Sequence, residues 1–264
     1  VGGIAGLVAG GLVLAMEIWT VVPAPNLATL APAVAVPELT PWALVCCVGA
    51  GAVATLAARG WTRTVGTFCA ALALGLALVP WCLLPKTIAT ADREMLAGFG
   101  EIAPEMLPAG VLSRPYDLLT AMRGFGETGA LRIRRNLPVV TRDGKRLGLD
   151  VYQPARSGRH PAVVIIYGGA WIFGSRAQSA ELARTLAHLG YTAVAIDYRH
   201  APAYRFPSQL DDVRDALATI ARNANDWGID ARRVAIYGSS AGAELALLAA
   251  YEPSALNIRA AIAY

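Results

Sequence analysis

Residues 1–85 carry only Glu17, Glu38, Arg59 and Arg63 as charged side chains, and nearly all other charge falls in the remaining two thirds of the chain. A water-exposed domain needs a denser charged surface than this. The segment therefore reads as lipid-embedded, which fits 55% apolar residues and a mean hydropathy of +0.45 over 264 residues. Three apolar runs stand out, at about 4–22, 42–58 and 65–84. A helix crosses the hydrocarbon core with roughly 20 apolar residues. A signal peptide would account for the first run and leave two unexplained. The middle run is short and holds Gly49 and Gly51, so two spans compete with three; glycine is common where membrane helices approach closely. Glu17 is read as a helix-packing contact or a residue near the interface.

Short loops fix the expected orientation. Pro23–Pro41 holds no Lys or Arg, whereas Arg59–Thr64 holds two, so the second link is placed in the cytoplasm. With three spans, the chain after Leu84 then emerges on the outer face. The formal net charge of +4 is spread over dispersed arginines, Arg132, Arg134, Arg135, Arg142 and Arg146 among them. No basic stripe with interleaved aromatics is present, which argues against nucleic acid as a partner and for anionic lipid headgroups. All four cysteines (Cys46, Cys47, Cys69, Cys82) lie in the apolar third. They form no disulfide framework or metal-binding pair and are read as small apolar side chains packed between helices.

Residues 86–130, with short amphipathic pieces such as MLAGFGEI and YDLLTAMRGF, read as a juxtamembrane connector. From Leu131 the period changes. LRIRRNLPVVTRDGKRLGLDVYQP alternates and turns at Asp143-Gly144, a hairpin signature. PAVVIIYGG and YTAVAIDYR are continuous apolar runs of the kind found in buried parallel strands. Helical spacing follows over Ala177–Leu189, over SQLDDVRDALATIARNAN with Ser208 as N-cap, and over Ser240–Tyr251; Asp230 is expected to cap the turn before RRVAIYG, and IRAAIAY starts a last strand. The alternation predicts an α/β fold with a doubly wound, mostly parallel sheet over residues 131–264.

In such a sheet reactive groups collect at the carboxyl ends of the strands. Two loops there are unusual: YGGAWIFGS (Tyr167–Ser175) and YGSSAG, which fits G-x-S-x-G with Gly238, Ser240 and Gly242 in place. A serine hydroxyl is a weak nucleophile until it is exposed, paired with a base and faced by oxyanion donors. Small residues at Gly238 and Gly242 permit a tight strand-to-helix bend with Ser240 at its apex and the Ala241 amide beside it. Gly168, Gly169 and Ala170 leave further amides free. No phosphate-cradling loop, metal-ligand spacing or dinucleotide fingerprint accompanies these loops, so no cofactor is expected.

The ordered segments DVYQP, IIYGGAWIFGS, IDYRHAP, FPSQLDDVRDAL and NDWGIDARRVAIYGSSAG resemble the α/β-hydrolase superfamily, in its branch of hormone-sensitive-lipase-like and bacterial carboxylesterase or feruloyl-esterase-like enzymes. The resemblance covers about Leu149–Leu248. It implies Ser240 as nucleophile, the amides of Gly169, Ala170 and Ala241 as oxyanion hole, Asp197-Tyr198-Arg199 as a motif shaping the pocket, and Trp171 lining the acyl site or packing beneath it. Tyr167 stands where that family places His, and is expected to orient the loop and border the pocket.

The order of the triad in this fold is Ser, acid, His. After Ser240 the chain offers Glu244 and Glu252 and no histidine, while His160, His188 and His200 all precede it and read as surface residues. The chain is therefore expected to stop inside the hydrolase domain, without its triad acid and His, and to be inactive as it stands. The leading expectation is a membrane-anchored serine carboxylesterase in a bacterial cell membrane, acting on small-molecule or lipid esters. A non-catalytic hydrolase-like binding protein and an acyltransferase using the same serine are the alternatives. Neither the ester's identity nor the oligomeric state is readable.

Overall fold

The computed structural model describes residues 2–100, 129–254 and 256–264. The chain divides into two compact units, residues 1–107 with 112–124, and 108–111 with 125–264. The connector piece YDLLTAMRGF lies outside the described residues.

The first unit is helical. Helix α1 (Gly2–Glu17) runs into a 3₁₀ turn (Ile18–Thr20), followed by α2 (Leu27–Glu38), α3 (Thr40–Ala57) and α4 (Gly60–Phe99). Helix α2 falls where a plain loop was expected; Asn26 caps it, accepting from the Thr29 amide at 3.2 Å. Two helices, Thr40–Ala57 and Gly60–Gly98, are long and apolar enough to cross a membrane, and the first apolar run forms a shorter helical segment, Ile4–Thr20. Composition put a boundary at residue 85, yet α4 continues through Pro80 and Pro85 for 40 residues. That is roughly 60 Å at the α-helical rise, about twice a hydrocarbon core.

Helices α1, α3 and α4 pack together through Ala50 and Ala54 of α3 and Ala70, Ala73 and Ala77 of α4, all buried. Of the two glycines singled out in the middle run, a Cβ at Gly49 would meet nothing within 4 Å and one at Gly51 would reach only ordinary contact with Ala70 at 3.8 Å; the tightest approach lies elsewhere. A Cβ on Gly10 would overlap the Gly66 carbonyl, and one on Gly66 would sit 2.6 Å from the Gly6 carbonyl. The α1 and α4 backbones thus touch at a glycine crossing, as small-residue helix pairs do in lipid. Glu17 is buried and accepts from the Thr20 hydroxyl at 3.3 Å, which is a packing position. Of the cysteines only Cys47 is buried; Cys69 is half-buried and Cys46 and Cys82 are exposed, so helix packing does not account for all four.

The second unit is a mixed, mostly parallel six-stranded sheet with the order β1-β2-β4-β3-β5-β6. Its elements are β1 (Leu131–Val140), β2 (Arg146–Pro154), β3 (His160–Ile166), α5 (Ala180–His188), β4 (Thr192–Ile196), α6 (Ser208–Arg222), β5 (Ile229–Gly238), α7 (Ala241–Ala250) and β6 (Ile258–Ala263). The hairpin β1–β2 turns at Asp143-Gly144 with Gly144 at φ 77°, where a Cβ would be strained. Strand β2 then pairs antiparallel with β4, and β4, β3, β5 and β6 run parallel.

Side-chain alternation divides the core between the two faces. Val163 and Ile165 of β3 and Ala193 and Ala195 of β4 pack with Ala183 and Ala187 of α5. Their neighbours Val164, Ile166, Val194 and Ile196 pack with Val213, Leu217 and Ile220 of α6 and Leu245 and Ala246 of α7. Helices therefore cover both faces, as the apolar runs required.

Two local expectations need correction. Ser208 is the first residue of α6 rather than its cap; Asp211 in the same first turn pairs with Arg142 and Arg214. Asp230 does cap the bend at the start of β5, accepting from the Arg232 amide at 3.1 Å, and that bond with the Arg233 guanidinium holds its carboxyl at about 2. His200 is half-buried and bonded rather than a surface residue.

Candidate active site

The chain order places β3 between β4 and β5, so successive connections leave β3 in opposite directions. The crevice at the carboxyl ends of β3 and β5 is the topological switch point, where ligands of open α/β sheets bind. YGGAWIFGS follows β3 there, and YGSSAG joins β5 to α7.

At the second of these loops Ser240 has φ 49° and ψ −119°, a conformation that L-residues adopt rarely and at a cost of about 1–3 kcal/mol. It is exposed, whereas Ala241 and Gly242 behind it are buried. The bend is locked by backbone bonds from Gly242 N to Ser239 O (2.8 Å), Ala243 N to Ser240 O (2.9 Å) and Ser239 N across to Ile166 O of β3 (3.2 Å). Neither glycine has room for a side chain. A Cβ on Gly238 would overlap the Gly242 carbonyl, and one on Gly242 would overlap the carbonyls of Ile166 and Tyr167. The Ser240 amide donates to Tyr264 O at 2.7 Å, so it is engaged.

The β3 loop meets this bend directly. A Cβ on Gly168 would lie 2.7 Å from the Ser239 carbonyl and 3.1 Å from the Ser240 Cβ. Gly169 (φ 154°) accepts from the amides of Ile172 (2.9 Å) and Phe173 (3.1 Å), closing a tight turn that carries Trp171, Ile172 and Phe173 outward. Among the described residues, the amides of Gly168, Gly169, Ala170 and Ala241 donate to no backbone carbonyl. Ala170 and Trp171 both hold positive φ (49° and 61°).

Tyr167 sits beneath this loop, only 3% exposed. Its ring stacks on Tyr198 at 4.5 Å; its hydroxyl donates to the Tyr198 carbonyl at 3.2 Å and lies 2.9 Å from His200 Nε2, while Tyr198 returns a bond to the Tyr167 carbonyl. Burial pushes the Tyr198 phenol up to about 12 and raises that of Tyr167 as well, so both stay neutral donors. Tyr167 thus supports the loop from below, and Trp171 is at the open surface.

The DYR segment is anchored residue by residue. Asp197 pairs with Arg176, which also bonds Asp150 at 2.9 Å. Arg199 grips Asp212, which is fully buried, through its amide and guanidinium at 2.7–2.9 Å, and reaches Asp143 at 2.6 Å. Burial pushes the Asp212 carboxyl up against the pull of Arg199, whose own guanidinium is held more firmly protonated by that carboxylate. These ion pairs bring α6, β4 and the β1–β2 turn together under the crevice. Only the resemblance pointed to the motif, and no sequence signal named Asp212 as its partner.

Glu252 is taken up by Arg214, and Glu244 is exposed on α7. His160 bonds the Arg156 carbonyl at 3.1 Å, and His188 ends α5 with its Nε2 buried and, among the described residues, unpartnered. No histidine or carboxylate bonds the Ser240 hydroxyl among the described residues.

A mixed sheet wound on both faces, with an exposed serine on a strand–helix elbow at the switch point, defines an α/β-hydrolase. The family model BD-FAE matches residues 149–262. Esterase LipC of Mycobacterium tuberculosis is 39% identical over 46% of this chain and 32% of its own length. Ethyl acetate hydrolase of Pseudomonas putida is 32% identical over 59% of this chain and 52% of its own. Among solved structures, a hyperthermophilic esterase from the archaeon Pyrobaculum calidifontis aligns at 36% identity and TM-score 0.43, over 45% of this chain and 39% of that one. Residues 149–262 are thus similar to α/β-hydrolase carboxylesterases, and the chain spans about a quarter to a half of the curated relatives it matches.

Proposed function

We propose that the protein is a membrane-anchored serine carboxylesterase. The observation that carries this reading is the strained, exposed Ser240 set against Gly168. In the reaction Ser240 Oγ bonds to the ester carbonyl carbon, and the carbonyl oxygen takes up negative charge facing the amides of Gly168, Gly169, Ala170 and Ala241. The alcohol then leaves with the proton lost by the serine, and water releases the acyl group. One oxyanion donor contributes roughly 3–4 kcal/mol to such a step. Trp171 borders the acyl side, and Tyr167 positions the donor loop through Tyr198 and His200.

The general base is the part that these residues do not supply, and the 264-residue chain by itself is accordingly proposed to be nearly inactive. Oxyanion donors and binding alone still leave roughly 10³–10⁴-fold over water. A fluorophosphonate is therefore expected to label Ser240 slowly, and p-nitrophenyl butyrate turnover is expected to rise at least about tenfold with added imidazole acting as an external base. Both signals should vanish in Ser240→Ala and persist in Ser239→Ala. Labelling elsewhere, or none at all, would remove the esterase reading. That outcome would instead support a hydrolase-like domain that binds without cleaving.

The anchor is proposed to place the link Arg59–Thr64 in the cytoplasm and the hydrolase unit outside, with α1 as a third span. Reporter fusions at Gly60 and Gly129 should then report opposite compartments; a shared compartment would overturn the orientation.

A further inference from the structure

Acceptors from three separate segments converge on the guanidinium of Arg176, the residue that follows YGGAWIFGS. Its Nε donates to Asp150 of β2 at 2.9 Å, one terminal nitrogen pairs with Asp197 just beyond β4, and the other donates to Asn136 Oδ1 of β1 at 3.1 Å. Each nitrogen has its own partner, so the planar group is fixed in position and in tilt. The Arg176 amide donates to the other Asp197 oxygen at 2.8 Å. The seat is shaped on the β1–β2 hairpin. Asn136 stands at φ 56° where the β1 register shifts, and its amide donates to the buried Asp150 carboxylate at 2.7 Å. A Cβ on Gly148 would lie 2.5 Å from the guanidinium, so glycine leaves the room, and the Gly148 carbonyl accepts from the Asp197 amide at 3.1 Å.

Ion pairs held largely out of water return little net stability, because desolvation offsets attraction. What this one fixes is geometry. The loop after β3 is tied at three places to a single segment, Asp197–Ala201. Tyr167 rests on Tyr198 and His200 at its start, the Ala201 amide donates to the Trp171 carbonyl at 2.9 Å in its middle, and Arg176 grips Asp197 at its end. The middle tie is one neutral bond, and the first sits where β3 already holds the chain. Arg176 supplies the charged, multiply bonded tie. Between these ties lie Gly168, Gly169 and Ala170, whose amides donate to no backbone carbonyl among the described residues. Consecutive glycines have little shape of their own, so the placement of those amides is set from the ends of the loop.

We propose that Arg176 is a positioning residue for the oxyanion donors: seated on Asp150, Asp197 and Asn136, it holds the loop after β3 so that the amides of Gly168, Gly169 and Ala170 face Ser240. The inference rests on the esterase reading of Ser240 and adds to it the group that sets the donor geometry.

The test compares the full chain in detergent with Arg176→Ala and with Arg214→Ala, which removes the ion pairs to Asp211 and Glu252 away from the loop. Amide hydrogen exchange reads the loop without any chemistry at Ser240. The amides of Ile172, Phe173 and Ser175, bonded to Gly169 and Gln178, should exchange at least about tenfold faster in Arg176→Ala, with β3 and β5 unchanged, and at the parent rate in Arg214→Ala. Unchanged loop exchange overturns the proposal. Should Arg176→Ala lose protection in β3 and β5 as well, Asn136→Gly decides instead. Glycine accepts φ 56° without strain, so that variant removes one acceptor alone and should speed the same amides about threefold.

The second readout is the rate at which a fluorophosphonate labels Ser240 in the presence of imidazole. Loss of one aligned donor costs roughly 10²–10³-fold, so Arg176→Ala should label at least about tenfold more slowly. Methylguanidinium at a non-denaturing concentration should restore both the rate and the loop protection, whereas methylammonium, with the charge but no planar fork, should restore neither. Rescue by both cations or by neither overturns the proposal, since the fork would not be what seats the loop. Faster loop exchange with unchanged labelling overturns it too, because the donors would then be held by something else. A parent chain that does not label removes the esterase reading, and exchange then decides by itself whether Arg176 holds the loop.

Discussion

Asp212→Ala is expected to destabilise the hydrolase unit by about 3–5 kcal/mol, because it leaves the buried Arg199 guanidinium without its main counter-charge. Asp143 remains within reach but is half-exposed and pairs with one nitrogen only. Pulse proteolysis of the full chain in urea measures the loss. Arg199→Met combined with Asp212→Leu should recover most of it, since an apolar pair of similar volume removes both desolvation costs together. If Asp212→Ala shifted the midpoint no more than a surface substitution, the ion pair would not be what joins β4 to α6.

Gly242→Val is the second large effect expected. A side chain there would occupy the space of the Ile166 and Tyr167 carbonyls, which belong to the end of β3 and the loop after it and cannot move independently of the sheet. Overpacking of this kind costs about 1–3 kcal/mol or more, and here it also displaces the elbow from Gly168. Ser240 labelling should fall below detection while the helical unit keeps its protease resistance. Gly49→Ala, where a Cβ meets nothing, is the matched control and should change stability by less than about 0.5 kcal/mol. A Gly242→Val protein that labels normally would mean that the bend tolerates another path.

Much of the site was legible because its requirements are local. The strained φ of Ser240 needs small neighbours, and Gly238 and Gly242 show this in the letters themselves. The approach of Gly168 to the bend could be inferred only from the fold, since the two residues are far apart in sequence and adjacent only across β3 and β5. Tyr167 was read as bordering the pocket; its burial against Tyr198 and its bond to His200 come from the stacking of two strand ends. In the helical unit the glycine crossing was expected at Gly49 and Gly51 because composition shows which residues are small, not which face a helix turns to its neighbour. Gly6, Gly10 and Gly66 make it instead.

The sequence by itself determined the periods: charge-poor helices first, then strands alternating with helices, and a small-residue bend bearing an exposed serine. These follow from propensity and patterning within a few residues. Tertiary structure alone decided the strand order, the pairing of Arg199 with Asp212 and the seat of Tyr167. Each of those depends on which distant segments meet, and that is fixed by burial of the whole core rather than by any local preference.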